Sequence, residues 1–245
     1  MKDIFSKQSE LYARYRPTYP PELFTFILNQ VPERNMAWDC ATGNGQTAKD
    51  LAPYFKKVMA TDISEKQLSN ALSISNVFYS VQAAEKTDFE DDSFDLVTVS
   101  QALHWFDFDL FYKELNRVTR NNGWFATWMY GGMIVSPQID DIKQDFHKNI
   151  LGPYWDPERK LVDTNYATIP FPLKEISCPI FSLSFEWGLE DIGGYLNSWS
   201  AVQKFILDKG YNPTVEIVEK IRKHWVKEKM TIRFPLYLRM GQVLK

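Results

Sequence analysis

Short apolar runs alternate with amphipathic segments over residues 35–130. The runs predict strands at 35–40, 57–61, 77–81, 94–100 and 124–130. Apolar positions at helical spacing predict helices between them, at 46–54, 65–73 and 107–119, with Ser64 and Asp107 as N-caps. Strands that alternate with helices predict a parallel sheet with right-handed crossovers.

The pattern changes on both sides of this region. A proline-rich segment at 14–21 separates a predicted helix at 5–13 from a second helix that Pro21 opens. After a predicted turn at 121–123 and the fifth strand, residues 134–170 contain helical segments and proline-containing loops. The remainder predicts a strand at 175–187, helical stretches at 189–208 and 213–228, and a last strand at 231–244.

Composition narrows the class of protein. A net charge of −3 and a pI near 5.7 argue against a nucleic-acid binder that works by neutralising phosphates. The N-terminus runs directly into polar residues, and no window approaches an apolar span of about 20 residues. We therefore expect no membrane insertion and a cytoplasmic location. Cys40 and Cys178 form no CxxC pair and the three histidines are scattered, so no metal site is expected.

The most informative motif is Trp38-Asp-Cys-Ala-Thr-Gly-Asn-Gly45, in which an acid ends a strand and a turn with two glycines leads into a helix. Glycine lets a backbone approach a ligand closely, and ligands of open parallel sheets bind at the carboxyl ends of the strands. Asp62 ends the next strand, where an acid can bind the ribose hydroxyls of a nucleoside. The alternative for Asp62 is helix capping, because Ser64 follows it.

A dinucleotide is the alternative ligand for this turn. Ala48 occupies the place of the third glycine in GxGxxG, where alanine is tolerated. Asp39 argues against that ligand, because its carboxylate would repel a pyrophosphate but would suit an ammonium group.

These motifs resemble the class I S-adenosylmethionine-dependent methyltransferases, and most closely the small-molecule branch that includes trans-aconitate methyltransferases. The resemblance to the class is carried by residues 39–45, 60–63, 83–85, 94–98 and 101–107. Residues 12–20 and 197–201 resemble the branch. One departure is Ala41, where the motif often has glycine.

The resemblance implies S-adenosylmethionine as the cofactor and four groups of contacts. The glycine turn would hold the methionine moiety, the end of the second strand would hold the ribose and adenine, residues 84–85 would border the adenine, and the end of the fourth strand would lie beside the sulfonium. The implied residues are Asp39, Ala41, Thr42, Gly43, Gly45, Asp62, Ile63, Ala84, Glu85, Ser100 and Gln101.

Substrate contacts are expected from the N-terminal segment and from aromatic side chains. The candidates are Arg14, Tyr15, Arg16, Trp105 and Trp199, with Trp128, Tyr130, Met133 and Trp155 as further residues that could shape an apolar pocket. An arginine can grip a carboxylate with two hydrogen bonds. His104 is the candidate catalytic proton acceptor, because an ordinary pKa of about 6.5 suits a general base. Packing at the start of a helix is the alternative for His104.

We therefore expect one α/β domain over residues 1–245, with a Rossmann-like, seven-stranded, mostly parallel sheet and helices on both faces. Its expected parts are an N-terminal cap segment at 1–34, a cofactor-binding core at 35–130, a helical lid insertion at 131–175, and C-terminal strands and helices at 176–245 that complete the sheet.

The predicted reaction is in-line transfer of a methyl group to a small molecule. An ionised acceptor such as a carboxylic acid is favoured, because the sequence shows no compelling base constellation. The alternatives are carbon methylation of a quinone-like or lipid-like intermediate, a non-catalytic regulatory module that binds S-adenosylmethionine, and methylation of protein or nucleic acid. A monomer and a homodimer are both compatible with the sequence.

Overall fold

The fold is a twisted sheet that a computed structural model describes over residues 17–245. Its strands are β1 Met36–Cys40, β2 Lys57–Asp62, β3 Val77–Val81, β4 Phe94–Ser100, β5 Thr119–Tyr130, β6 Lys174–Ile176, β7 Ile180–Trp187 and β8 Met230–Gln242. Their order is β3-β2-β1-β4-β5-β8-β6, and β7 also pairs with β8. Strands β1 to β5 are parallel and β8 is antiparallel, which confirms the predicted Rossmann-like, mostly parallel sheet. The predicted helix at 5–13 lies outside the described residues, as do Arg14, Tyr15 and Arg16.

The predicted strand at 175–187 is two strands. Pro179, which has no backbone N–H to donate, lies in the gap between β6 and β7. Strand β6 pairs with the C-terminal end of β8 and β7 pairs with its N-terminal half, both on the edge that β5 does not use. Eight strands therefore fill the seven positions that the sequence predicts. The predicted turn at 121–123 also lies inside a strand, β5, where Asn122 has a φ of 65°.

Nine helices accompany the strands in the described part of the chain. They are α1 Pro21–Gln30, α2 Gln46–Leu51, α3 Glu65–Leu68, α4 Phe108–Val118, α5 Pro137–Asp145, α6 Arg159–Asp163, α7 Leu189–Asn197, α8 Ser200–Lys209 and α9 Thr214–Arg222. A π-helical turn, Phe146–Ile150, follows α5, and 3₁₀ turns occur at Leu103–Trp105 and Gly152–Tyr154. The predicted stretch at 189–208 is two helices, and those predicted at 65–73 and 213–228 are shorter than expected.

Both predicted N-caps are confirmed. The Ser64 hydroxyl accepts a hydrogen bond from the backbone N–H of Gln67 at 3.3 Å, and the Asp107 carboxylate accepts one from Leu110 at 3.1 Å. These side chains satisfy N–H groups that the first turn of a helix leaves unpaired. They fix where α3 and α4 begin, directly beyond the strand ends that carry the candidate site.

The central strands β1 and β4 are buried on both faces of the sheet. Successive side chains of a strand point to opposite faces, so neighbours in sequence pack into different clusters. In β1, Ala37 packs into one apolar cluster, with residues of α1, α2, α5, α7, α8 and α9. Its neighbour Trp38 packs into the other cluster, with α4. Trp38 is fully buried and its indole N–H donates to the hydroxyl of Thr61 at 2.9 Å. The predicted helices on both faces are thus present.

Within residues 17–245, no helix combines the length and the apolar character that crossing a bilayer requires.

Candidate active site

The turn between β1 and α2 is held in a left-handed conformation. Ala41, Gly43 and Gly45 have φ values of 54°, 58° and 83°. Thr42 ties the turn to β2 through a hydrogen bond from its N–H to the carbonyl of Thr61 at 2.8 Å. Glycine adopts this conformation without a steric penalty, whereas alanine pays about 1–2 kcal/mol. Ala41 therefore carries strain in the segment that the sequence selects as a ligand site.

Asp39 lies beneath this turn and has no exposed surface. One carboxylate oxygen accepts a hydrogen bond from the Thr42 hydroxyl, and the other accepts one from the Thr98 hydroxyl at 2.9 Å. Burial raises the pKa of Asp39 to about 7 despite these hydrogen bonds. Through these hydrogen bonds Asp39 supports the turn from below. A direct contact between its carboxylate and an ammonium group stays a prediction.

The raised pKa of Asp39 makes a prediction about stability. An acid whose pKa is higher in the folded than in the unfolded chain, where it is about 3.9, contributes stability that is lost as the pH rises through the folded pKa. Relative to Asp39→Asn, the free energy of unfolding of the wild type should fall by about 1 kcal/mol as the pH rises from about 6 to 8. Urea denaturation of both proteins at the two pH values measures this difference.

Ionisation of the histidines does not affect this comparison of stabilities. Buried imidazoles whose pKa is lowered contribute in the opposite direction, but His104 and His147 are present in both proteins and their contributions cancel. Parallel pH dependences for wild type and Asp39→Asn would contradict the prediction.

Asp62, at the end of β2, joins two turns. One of its carboxylate oxygens accepts a hydrogen bond from the N–H of Gly43 and the other accepts one from the N–H of Ser64, each at 2.9 Å. The capping alternative is thus partly right, because Asp62 holds the chain that leads into α3. Asp62 also reaches the glycine turn, and its charge contributes to the raised pKa of Asp39. The two acids that the sequence selects therefore lie close together at neighbouring strand ends.

Several buried polar atoms around this turn lack a hydrogen-bond partner within residues 17–245. They are the hydroxyl of Tyr79 and the side-chain amide nitrogens of Gln46 and Gln101. Tyr79 projects from β3 against Gly45: a Cβ placed on Gly45 would lie 2.4 Å from its hydroxyl oxygen. A buried donor without a partner is costly, so these groups fit a ligand that supplies acceptors, such as a carboxylate and hydroxyl groups.

The end of β4 lies beside the same turn. The Thr47 hydroxyl, on α2, donates to the Ser100 hydroxyl at 3.1 Å. Gln101 follows with a left-handed φ of 58°, and its N–H donates to the carbonyl of Trp128 at 2.9 Å. Ser100 is thereby linked to the helix that the glycine turn opens, and its position beside a bound sulfonium stays a prediction.

The remaining predicted cofactor residues follow β2 and β3. Ile63 is half-buried next to Asp62, and Ala84 is buried. Glu85 accepts a hydrogen bond from the N–H of Asp107 at 3.2 Å and so joins the loop after β3 to the start of α4. All three lie beyond the carboxyl ends of neighbouring strands, and their contact with adenine stays a prediction.

A cavity of about 440 Å³ begins where β4 ends. The predicted residues Gln101, His104, Trp105 and Trp199 line it, together with Tyr130 and Trp155. Much of the remaining wall comes from the segment that follows Gly131: Gly132, Asp140, Lys143, Gln144, His147, Lys148, Asp156, Arg159, Val162, Asp163 and Asn165. Trp128 and Met133, which are predicted to shape a pocket, are fully buried in the apolar core instead.

His104 has a partner that the sequence does not reveal. Its Nδ1 lies 2.6 Å from the hydroxyl of Tyr166, a buried residue that follows Asn165 in a strained left-handed segment. Burial, with a contribution from the positive charge of Arg159, lowers the pKa of His104 to about 3. The imidazole is therefore neutral at physiological pH and a weak base, which favours a hydrogen-bonding role over the predicted proton-accepting one.

Tyr166 should determine which ring nitrogen of His104 carries the proton. A phenol that donates to Nδ1 leaves the proton on Nε2. We expect ¹⁵N spectra of histidine-labelled protein to show a pyridine-like Nδ1 and a pyrrole-like Nε2 for His104, and Tyr166→Phe to mix the two tautomers. Comparison with His104→Gln assigns the signals among only three histidines. A pyrrole-like Nδ1 in the wild type would contradict this prediction.

Sequence reasoning also missed the charged lining of the cavity. Lys143 and His147 have the i, i+4 spacing that places two side chains on one face of a helix, and Arg159 follows Trp155 at the same interval. That spacing was the sequence signal for the charged lining. It is also common on solvated helices, so it does not by itself predict a cavity wall. Among the described residues, no group of three His, Cys, Asp or Glu side chains could hold a metal ion.

Comparison with known proteins identifies the family. Residues 38–127 match the family model of a methyltransferase domain. A methyltransferase-family protein of Dictyostelium discoideum is 35% identical over 245 residues, which cover 96% of this chain and 93% of that protein. This chain belongs to the class I S-adenosylmethionine-dependent methyltransferases.

Two further relatives agree with this assignment. A methyltransferase structure from Anaeromyxobacter dehalogenans is 36% identical with a TM-score of 0.86, and the similarity covers 94% of this chain and 99% of that one. CRG1 of Saccharomyces cerevisiae, a probable S-adenosylmethionine-dependent methyltransferase, is 25% identical over 177 residues, which cover 65% of this chain and 60% of CRG1. The methyltransferase described here is thus an enzyme with S-adenosylmethionine as its cofactor. The alternatives of a dinucleotide ligand and of a non-catalytic regulatory module are set aside.

Proposed function

We propose that this methyltransferase transfers a methyl group to a small organic acid in the cavity beyond β4. The observation that carries the proposal is that Gln101 lines this cavity of about 440 Å³ and directly follows Ser100, whose hydroxyl is hydrogen-bonded to Thr47 of the helix that the glycine turn opens. Its volume lies in the range typical of small-molecule sites, about 300–1,000 Å³. That volume and the slightly acidic composition favour a small acceptor over a protein or nucleic acid.

The residues around the turn fit the cofactor. Asp62 would hold the ribose hydroxyls, the segment from Ala41 to Gly45 would hold the methionine moiety, and Ile63, Ala84 and Glu85 would border the adenine. The unpartnered donors of Gln46, Tyr79 and Gln101 suit a ligand rich in oxygen acceptors. Bound S-adenosylmethionine supplies a methyl group carried on a sulfonium, which an oxygen nucleophile accepts as neutral S-adenosylhomocysteine leaves.

The chain's own contribution would be alignment of the acceptor. A carboxylate is ionised at neutral pH and needs no base, which agrees with the weak basicity of His104. His104 and Trp105 would hold the acceptor beside the end of β4, and Trp199 would cover it from α8's N-terminus. Well-aligned reactants can supply roughly 7–11 kcal/mol of rate advantage.

Carbon methylation of a quinone-like or lipid-like acceptor is the second candidate. Five aromatic side chains in the cavity wall favour it: Trp105, Tyr130, Trp155, Tyr195 and Trp199. Flat apolar rings provide a large surface for a planar or hydrocarbon acceptor.

One experiment separates these candidates. The enzyme is incubated with methyl-labelled S-adenosylmethionine and a panel of organic acids and quinones, and the products are treated with mild alkali. A methyl ester releases the label as methanol, whereas a carbon-bound methyl group keeps it. Label that resists alkali would favour the second candidate, and failure to bind S-adenosylhomocysteine in calorimetry would refute both.

A further inference from the structure

Arg159, on α6, lies over an aromatic ring in the cavity wall. Its guanidinium carbon lies 4.5 Å from the centre of the Trp155 ring. Its Nε donates to the carboxylate of Asp163 at 2.8 Å. Within residues 17–245, the two terminal nitrogens of the guanidinium have no hydrogen-bond partner. Stacking and the Asp163 contact therefore fix the orientation of a planar donor whose terminal N–H groups remain available.

The acids of the cavity wall are already paired. Their cationic partners are Lys143 for Asp140 at 3.1 Å, Lys204 for Asp156 at 2.6 Å, and Arg159 for Asp163. A guanidinium that shares one carboxylate through Nε alone can accept a second anion on its terminal nitrogens.

Two histidines, His104 and His147, line the same cavity as Arg159. Burial and the positive charge of Arg159 lower the pKa of both His104 and His147. The Nε2 of His147 is buried without a hydrogen-bond partner in the described part of the chain, at 3.8 Å from the Asp163 carboxylate. Arg159 thus lies near two neutral imidazoles, one of which has an unused ring nitrogen.

We infer that Arg159, Trp155 and His147 form a subsite for the anionic group of the methyl acceptor, a carboxylate or a phosphate attached to a planar or apolar body. The inference rests on the proposed function, which makes this cavity the acceptor site. It places anion recognition on the segment after β5, rather than on the predicted Arg14 and Arg16. Arginine suits both anions because its parallel N–H groups match two of their oxygens.

The probes for this subsite are benzoate, phenyl phosphate and neutral benzamide, added to protein saturated with S-adenosylhomocysteine. The readout is the indole N–H resonance of Trp155, which donates to the carbonyl of His147 at 3.1 Å and is assigned by its loss in Trp155→Phe. Both anions should shift this resonance in a saturable way, and benzamide should not. Tighter binding of benzoate or of phenyl phosphate tells which anion the subsite prefers.

Arg159→Gln should weaken binding of the preferred anion at least tenfold. Arg222→Gln is the matched control, because Arg222 is an exposed arginine of α9 that pairs with Glu219. Unchanged anion binding in Arg159→Gln, equal shifts with benzamide, or no shift with either anion in the wild type would each overturn the subsite. Calorimetry with S-adenosylhomocysteine on the same samples keeps the results separate: loss of that binding refutes the proposed function instead.

Discussion

Gly45→Ala should lower the free energy of unfolding by about 2–5 kcal/mol and weaken binding of S-adenosylhomocysteine at least tenfold. The new Cβ would lie 2.4 Å from the Tyr79 hydroxyl oxygen and 3.0 Å from two ring carbons. Overpacking of this kind costs about 1–3 kcal/mol. The φ of 83° at Gly45 adds about 1–2 kcal/mol of left-handed strain for alanine. Urea denaturation and calorimetry measure the two effects.

Gly43→Ala is the matched control. Gly43 also has a left-handed φ, 58°, but its Cβ would meet no atom within 4 Å. Its stability cost should therefore be only the backbone strain of about 1–2 kcal/mol. Gly45→Ala should cost no more than this in a Tyr79→Leu background, because the clash with the ring is gone. An undiminished cost in that background would show that Tyr79 is not the cause.

Asp62→Asn should weaken binding of S-adenosylhomocysteine about 100-fold, which corresponds to about 2.7 kcal/mol. The carboxylate accepts hydrogen bonds from Gly43 and Ser64 on its two oxygens. An amide nitrogen cannot accept, so one of these backbone N–H groups loses its partner and the two turns are no longer joined. An unsatisfied group of this kind costs about 1–3 kcal/mol of stability in addition. Calorimetry measures the affinity and urea denaturation the stability.

Asp141→Asn is the control for charge alone, because Asp141 is an exposed residue of α5. It should leave both quantities unchanged. If Asp62→Asn binds S-adenosylhomocysteine with wild-type affinity, Asp62 does not belong to the cofactor site. Its carboxylate then has only the structural role of joining the two turns.

The parts of the fold that the sequence predicts are those set by local chemistry. Strands β1 and β4 are buried on both faces and therefore read as apolar runs, and Ser64 and Asp107 cap the helix that follows each of them in the sequence. The break between β6 and β7 was missed because it depends on how the two strands pair with different parts of β8. That strand lies far along the sequence from both. The helices that end at Leu68 and Arg222 were predicted to be longer, because apolar residues at helical spacing continue into the loops that follow them.

The candidate site likewise contains residues that the sequence predicts and contacts that it does not reveal. Gly43 and Asp62 are found because the chain places them at the ends of consecutive strands. Tyr79 reaches Gly45 only through the register of β2 with β3, and Tyr166 reaches His104 only through packing of the segment after α6. The weak basicity of His104 follows from burial and from the charge of Arg159. None of these contacts leaves a periodic signal in the sequence.

The position of β8 has a consequence for how the chain is made. This strand inserts between β5 and the β6–β7 edge, and it is the last of the eight to leave the ribosome. Until residues 230–242 emerge, the edge of β5 that runs from Trp124 to Tyr130 has no partner strand. Unpaired edges of this kind are templates for aggregation, and contacts that close late are slow to form. Nascent chains of this methyltransferase therefore depend on their final strand to protect the middle of the sheet.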